Sequence, residues 1–261
     1  MTLKPNESSI ELAERLGVMA RVCEVIETTQ ISASVHEVVL GGPATVLTGV
    51  AGNDVMIQVK NAAGRLVRRR YSVRAADHDL DQFTLWITTG HDGPGDAWSR
   101  HARPGDHVDV IGPRGKITLD EAADWHLFVG DSTGLAASYR LAQSIEVPGR
   151  AIFIVEIDHP DDALTADFDE GLGVTGIFVD RRGRERNDPA GLLNGLAAFA
   201  FAPGAGHAYL FGEFTTLKAI KSALLDRGLD EGAISVKAHW RTGRDNADHG
   251  EPDKTEPQES P

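Results

Sequence analysis

Apolar and polar residues alternate through the first half of the chain in short bursts, each closed by Gly, Pro, Asp or Asn. The bursts are "ARVCEVIETT", "SVHEVVLGG", "DVMIQVKN", "RRYSVRA", "QFTLWITTG" and "DHVDVIGP". Period-two patterning with β-branched residues predicts strands, and six short ones at this spacing predict a closed antiparallel barrel over residues 18–118. Residues 8–17, "SSIELAERLG", predict a short opening helix with Ser8 or Ser9 as its cap. Another helix is expected after "GPG", from Asp96 to about Arg103.

After "KITLDEAADW" the period changes. "HLFVG", "AIFIVEI", "VTGIFVD", "HAYLFG" and "AISVKAHW" are short apolar strands. Between them lie the helical stretches "STGLAASYRLAQSIE", "PAGLLNGLAAFA" and "TTLKAIKSALLDRG". Strands alternating with helices predict a parallel sheet covered on both faces. The expected organisation is a barrel over residues 18–118 and a nucleotide-type α/β domain over 119–244, with the join near 116–124.

The last stretch, 245–261, carries six acids and one base and almost no large apolar side chain, so a disordered tail is expected there. The net charge of −13 argues against nucleic acid as a partner. The single cysteine, Cys23, excludes an internal disulfide or a Cys-rich metal site. The start of the chain lacks the apolar centre of a signal peptide, and no apolar run reaches membrane-spanning length. A cytoplasmic monomer with no stable membrane insertion is expected, and the ten histidines show no spacing that predicts a protein-bound metal.

On so acidic a chain, the basic run "RRRYSVR" at residues 68–74 needs a reason. Arg70, Ser72 and Arg74 fall on one face of a strand and Tyr71 on the other. An arginine can offer a fork of donors to a pyrophosphate. With a hydroxyl at a flavin ring and a tyrosine stacked on it, this is a workable flavin dinucleotide set. Taken alone, the run reads equally well as an edge strand with solvated arginines.

In order and spacing, "SVHEVVLGGP", "RRRYSVR", "GPGDAWSRHARPGDHVDVIGPRG", "FVGDSTGLAASYRL", "YLFGEFTTLKAIKSAL" and "HWRTGR" resemble the siderophore-interacting proteins. These are ferric-siderophore reductases of the ferredoxin-reductase superfamily. The resemblance covers residues 18–244. It implies FAD on the barrel, NADH or NADPH on the second domain, and a ferric siderophore near the flavin. Arg70, Tyr71, Ser72 and Arg74 are the implied FAD contacts, with Ser72 near the reactive flavin nitrogen as the one catalytic candidate. Thr89, Gly93, Pro94 and Gly95 extend that site. Glycines let the backbone approach a phosphate, and the helix that follows offers free N–H groups. Arg114 in "GPRGK" is a further phosphate candidate, although turn geometry explains that loop adequately. The chain departs from the family pattern at Thr89, where histidine is common, at Asp96, where a small or hydroxyl residue is common, and at His239, where tyrosine is common. For Asp96 itself a helix cap is the expected role.

Asp131, Ser132 and Thr133 lie where the first strand of the second domain meets its helix, the usual nucleotide crevice. Asp131 or Ser132 also reads as a simple cap. Glu156 and Asp158 would suit a free ribose hydroxyl, whereas the arginines of "DRRGRER", 180–186, would suit a 2′-phosphate. The choice between NADH and NADPH stays open. Glu213 and Trp240 complete the implied cofactor set, and Thr215 or Thr216 is expected to cap the helix after Glu213. Lys237, Arg241 and Arg244 form the implied docking cluster for an anionic ferric chelate. A general flavin-linked reductase or diaphorase, and a non-enzymatic chelate-binding protein, are the rival readings.

Overall fold

The computed structural model describes residues 9–42, 50–115, 117–147, 149–164 and 174–243. Arg244 and the acidic segment 245–261 lie outside them.

Six strands close the barrel: β1 (Met19–Gln30), β2 (Val35–Gly41), β3 (Asp54–Lys60), β4 (Leu66–Asp77), β5 (Gln82–Thr88) and β6 (His107–Arg114). Their order round the barrel is β1-β2-β5-β4-β3-β6, and every pairing is antiparallel. The inward apolar positions, among them Val25, Val38, Leu40, Ile57, Leu85 and Val110, fill the interior without residual exposure. Closure pairs each of these six strands on both sides, so the barrel offers no open edge among the described residues. Helix α1 (Ser9–Leu16) lays Leu12 and Ala13 on Met56 and Ile111. Ser9 does not cap α1 as expected. It is the first helical residue, and its hydroxyl lies 3.0 Å from Gln58 Oε1 and 3.1 Å from Asp109 Oδ2, pinning the helix to the barrel wall. Helix α2 (Pro94–His101) joins β5 to β6.

The second half is a five-stranded parallel sheet: β7 (Trp125–Asp131), β8 (Ala151–Ile157), β9 (Thr175–Asp180), β10 (Gly206–Glu213) and β11 (Ile234–Trp240), ordered β11-β10-β7-β8-β9. Helix α3 (Leu135–Ala142) covers one face, over Phe128, Tyr139, Phe153 and Tyr209. Helices α4 (Ala190–Ala198) and α5 (Phe214–Asp226) cover the other, over Leu127, Ile154, Leu192, Leu210 and Ile220. The chain runs outward from β7 to β9, then returns to build β10 and β11 on the far side of β7. The strand order therefore reverses between β7 and β10, and a crevice opens at their C-terminal ends.

Barrel and sheet share buried contacts. Trp86 of β5 meets Tyr139 of α3 edge-on at 5.3 Å. Asp162, fully buried, accepts hydrogen bonds from Ser34 N and Ser32 Oγ, both at 2.8 Å. No described helix is long and apolar enough to cross a membrane.

Candidate functional site

The basic run lies on β4. On one side β4 pairs with β3, setting Arg70 opposite Met56 and Ser72 opposite Asp54. On the other it pairs with β5, where the register slips between Val73 and Ala75. Such a bulge breaks simple alternation. Tyr71 and Val73 pack into the barrel core, which leaves Arg70, Ser72 and Arg74 on the outward face, with the slip falling after them. Arg74 is 8% exposed, lies over the rings of Trp86 (4.6 Å) and Tyr139 (5.3 Å), and donates to Gln143 Oε1 at 3.0 Å. In this structure it joins the two domains.

Arg70 keeps about a third of its side chain in solvent, with its Nε turned towards Asp54 Oδ1 at 3.5 Å. Ser72 is buried, at 7% exposure. The hydroxyl of Tyr71 lies against Gly95 of α2. A Cβ at residue 95 would stand 1.7 Å from it, so only glycine fits there. Burial raises the Tyr71 pKa well above the usual phenol value, so the group stays protonated.

Gly93, not Asp96, is the N-cap residue of α2, and it offers no side-chain cap; Pro94 takes the first turn. Asp96 lies within that turn and folds back on the preceding loop. Its Oδ2 accepts from the N–H groups of Gly90, His91 and Asp92 at 2.9, 3.0 and 3.1 Å, and Oδ1 pairs with Arg100 Nε at 2.7 Å. The acid that departs from the family pattern thus has its charge compensated inside the loop. Thr89, also buried, is fixed through its N–H to Ser34 O at 2.8 Å. Arg114 ends β6, opposite Asp54.

At the crevice, Asp131 caps a 3-10 turn, Ser132–Gly134, that precedes α3, so the helix expected over 132–146 is shorter than its sequence pattern. Both oxygens of Asp131 are occupied. Oδ1 accepts from Thr133 N and Thr133 Oγ1, and Oδ2 accepts from Glu213 N and Trp240 Nε1. Its pKa is raised because burial outweighs these hydrogen bonds. Glu213, rather than either threonine, caps α5: its Oε2 accepts from Thr216 N at 2.8 Å and its Oε1 from Thr242 N at 3.2 Å. His239 donates from Nδ1 to Thr133 O at 2.9 Å. Asp131, Glu213 and Trp240 build the crevice wall, and Ser132 is buried beside them.

At the end of β8, the acids and arginines proposed as rival ribose and phosphate contacts bind one another. Arg181 pairs with Glu156 Oε2 at 3.0 Å and with Asp158 Oδ1. Arg184 takes Glu156 Oε1 at 2.7 Å, and Arg186 reaches Asp158 Oδ2 at 3.3 Å. Both Glu156 oxygens are engaged by arginines, and the carboxylate charge is matched within the cluster.

The expected chelate cluster also divides. Lys237 forms an ion pair with Asp54 of the barrel, and the Arg241 guanidinium lies 4.8 Å from the Phe214 ring centroid. Asp54 is the residue that sequence reasoning missed. Its only signal was an acid opening the strand "DVMIQVK", and many strands open that way.

Comparison with known proteins matches both halves of the chain. Residues 46–117 match the siderophore-interacting FAD-binding domain, and residues 123–243 match the siderophore-interacting protein domain. A siderophore utilisation protein from T. fusca, of known crystal structure, superposes with a TM-score of 0.76 at 26% identity, over 89% of this chain and 96% of that one. An uncharacterised protein of Mycobacterium tuberculosis is 28% identical over 189 residues, 67% of this chain and 65% of its own length. The ferric vibriobactin reductase of Vibrio cholerae is 28% identical over 94 residues, 36% of this chain and 33% of its own. With both domains matched in chain order across the barrel and the sheet, the chain belongs to the siderophore-interacting protein family of the ferredoxin-reductase-like superfamily.

Proposed function

We propose that this protein is a cytoplasmic FAD-dependent ferric-siderophore reductase that draws electrons from NADH or NADPH. The observation that carries the reading is Arg70, an arginine with about a third of its side chain in solvent on a barrel matching the siderophore-interacting FAD-binding domain. Its Nε faces Asp54, and Nη2 lies 3.8 Å from Met56 Sδ. Close by in the chain, α2 begins behind a glycine with no capping side chain. This donor set fits an anionic pyrophosphate.

A bound flavin supplies the chemistry that accepts an electron pair from a nicotinamide and yields electrons singly to ferric iron. The residues of the chain bind and orient. Arg70 holds the pyrophosphate, Tyr71 and Gly95 form a close-packed wall, and the Ser72 hydroxyl lies on the ring side. Ser132 and Thr133 line the nicotinamide crevice at the strand reversal, held in place by Asp131. Arg241, beyond the end of β11 with its guanidinium over the Phe214 ring, meets the anionic chelate.

The test is to load purified protein with FAD and reduce it anaerobically with NADH and with NADPH. Ferric siderophore is then added while absorbance follows both flavin and iron. Flavin reduction followed by reoxidation on adding the chelate is expected. Protein that takes up no FAD would refute the reading. Flavin that is reduced but discharges only to quinones would make it a general diaphorase.

A further inference from the structure

Asp54, on β3, is 1% exposed and lies between cations from both domains. Lys237 of β11 holds Oδ2 in an ion pair. Oδ1 faces Arg70 Nε at 3.5 Å and is buried without a hydrogen bond. A buried carboxylate is costly unless its charge and both of its oxygens are satisfied. Here one oxygen is satisfied and the other is not. A small inward shift of Arg70 would close the second bond, and that shift would draw the guanidinium away from any ligand outside.

We propose that Lys237 is a positioning residue for the flavin site. By neutralising Asp54, it leaves Arg70 available to an external pyrophosphate. Without Lys237, Arg70 is the remaining partner among the described ion pairs of Asp54 and is pulled inward. The effect is reciprocal, as linkage requires. A pyrophosphate that holds Arg70 outward leaves Asp54 to Lys237 and tightens β11 against the barrel. β11 also carries His239 and Trp240, which bond Thr133 and Asp131 at the crevice. The proposal rests on the flavin reading above, and it gives Lys237 a role different from chelate docking.

The experiment is FAD titration by fluorescence, at fixed salt, of wild type, Lys237→Gln, Asp54→Asn, the double variant and Lys237→Arg, with circular dichroism to confirm folding. Lys237→Gln is expected to weaken FAD about tenfold, the scale of one charge-assisted contact. Asp54→Asn should bind at least as tightly as wild type. The double variant should fall within about threefold of Asp54→Asn, since Lys237 matters only while Asp54 is charged. Lys237→Arg, which keeps the charge, should bind like wild type. Wild-type affinity in Lys237→Gln overturns the proposal. So does a double variant as weak as Lys237→Gln alone, which would put the lysine charge on the ligand itself. A wild type that takes up no FAD defeats the flavin reading and the coupling together. A second measurement needs no variant: FAD should slow acylation of Lys237 several-fold, read by mass spectrometry, and an unchanged rate overturns the coupling.

Discussion

The indole Nε1 of Trp240 donates to Asp131 Oδ2 at 3.0 Å, tying the last residue of β11 to the end of β7 across β10. Asp131 is the common acceptor for four donors from three segments. In Asp131→Asn one oxygen becomes an NH2 group that faces two donors. The two lost bonds are offset in part because a neutral amide is easier to bury than a carboxylate. A loss of about 1–3 kcal/mol in urea unfolding is expected. Trp240→Phe, which removes one donor, should cost less. Equal stability of Asp131→Asn and wild type would show that the carboxylate does not hold the crevice together.

Gly95→Ala should disturb the barrel site through Tyr71. The added methyl would stand 1.7 Å from the phenol oxygen and 3.0 Å from the ring carbon that bears it. The tyrosine is packed against the barrel core and cannot swing aside freely. FAD retention is expected to fall severalfold, and Tyr71→Phe in the same chain should restore part of it, because the closest atom is then gone. The measurement is flavin content after gel filtration of the single and double variants. Additive losses would mean that the two residues do not meet.

The barrel and the sheet were legible because burial imposes periodicity, two in the barrel strands and continuous apolar runs in the parallel ones. "AIFIVEI" is a strand with its predicted bounds, and all seven residues are buried. The basic run drew notice by its charge on an acidic chain, and its place on β4 followed from strand patterning. The partners of the charges were not legible. The contacts of Arg74 with Tyr139 and Gln143 cross from the barrel to the sheet half, where no local pattern shows them. Lys237 looked like a docking cation because its counter-ion, Asp54, lies 183 residues away. Asp96 and Glu213 were misread at the level of capping, where a shift of two or three residues changes which N–H groups a carboxylate meets.

Arg181→Met tests the ionic cluster at the end of β8. Arg181 is buried, with Glu156 and Asp158 as its partners. Removing it leaves Glu156 with only Arg184, at a site where the carboxylate is 2% exposed. Breaking a buried pair from one side costs about 3–5 kcal/mol. The remaining arginine partner should hold the loss near the lower end, about 3 kcal/mol by the same rule. Glu156→Gln paired with Arg181→Met should recover part of it. Denaturant unfolding of the three proteins decides. A stable Arg181→Met would mean that the cluster relaxes into solvent.

Acid should loosen the contact between Arg186 and His91. The guanidinium donates to His91 Nδ1, which requires a neutral ring. Desolvation, and then the positive charge of Arg186, lower the His91 pKa from its ordinary 6.5 to about 4, against the opposing pull of Asp158 and Asp96. The folded-state value is therefore below the unfolded one. Between pH 6.5 and 4 the unfolded chain binds a proton that the folded chain refuses, so stability is complete above this window and declines as pH falls through it. His36 and His126, also lowered by burial, add to the slope. His91→Gln removes only the share due to His91, since a glutamine oxygen can still accept from Arg186 and does not titrate. Melting temperatures taken from pH 7.5 to 4.5 should fall more steeply in wild type than in His91→Gln, with the two curves close together above pH 7. Parallel curves through the whole range would show that His91 titrates alike in the folded and unfolded chains, and that Arg186 does not hold it neutral.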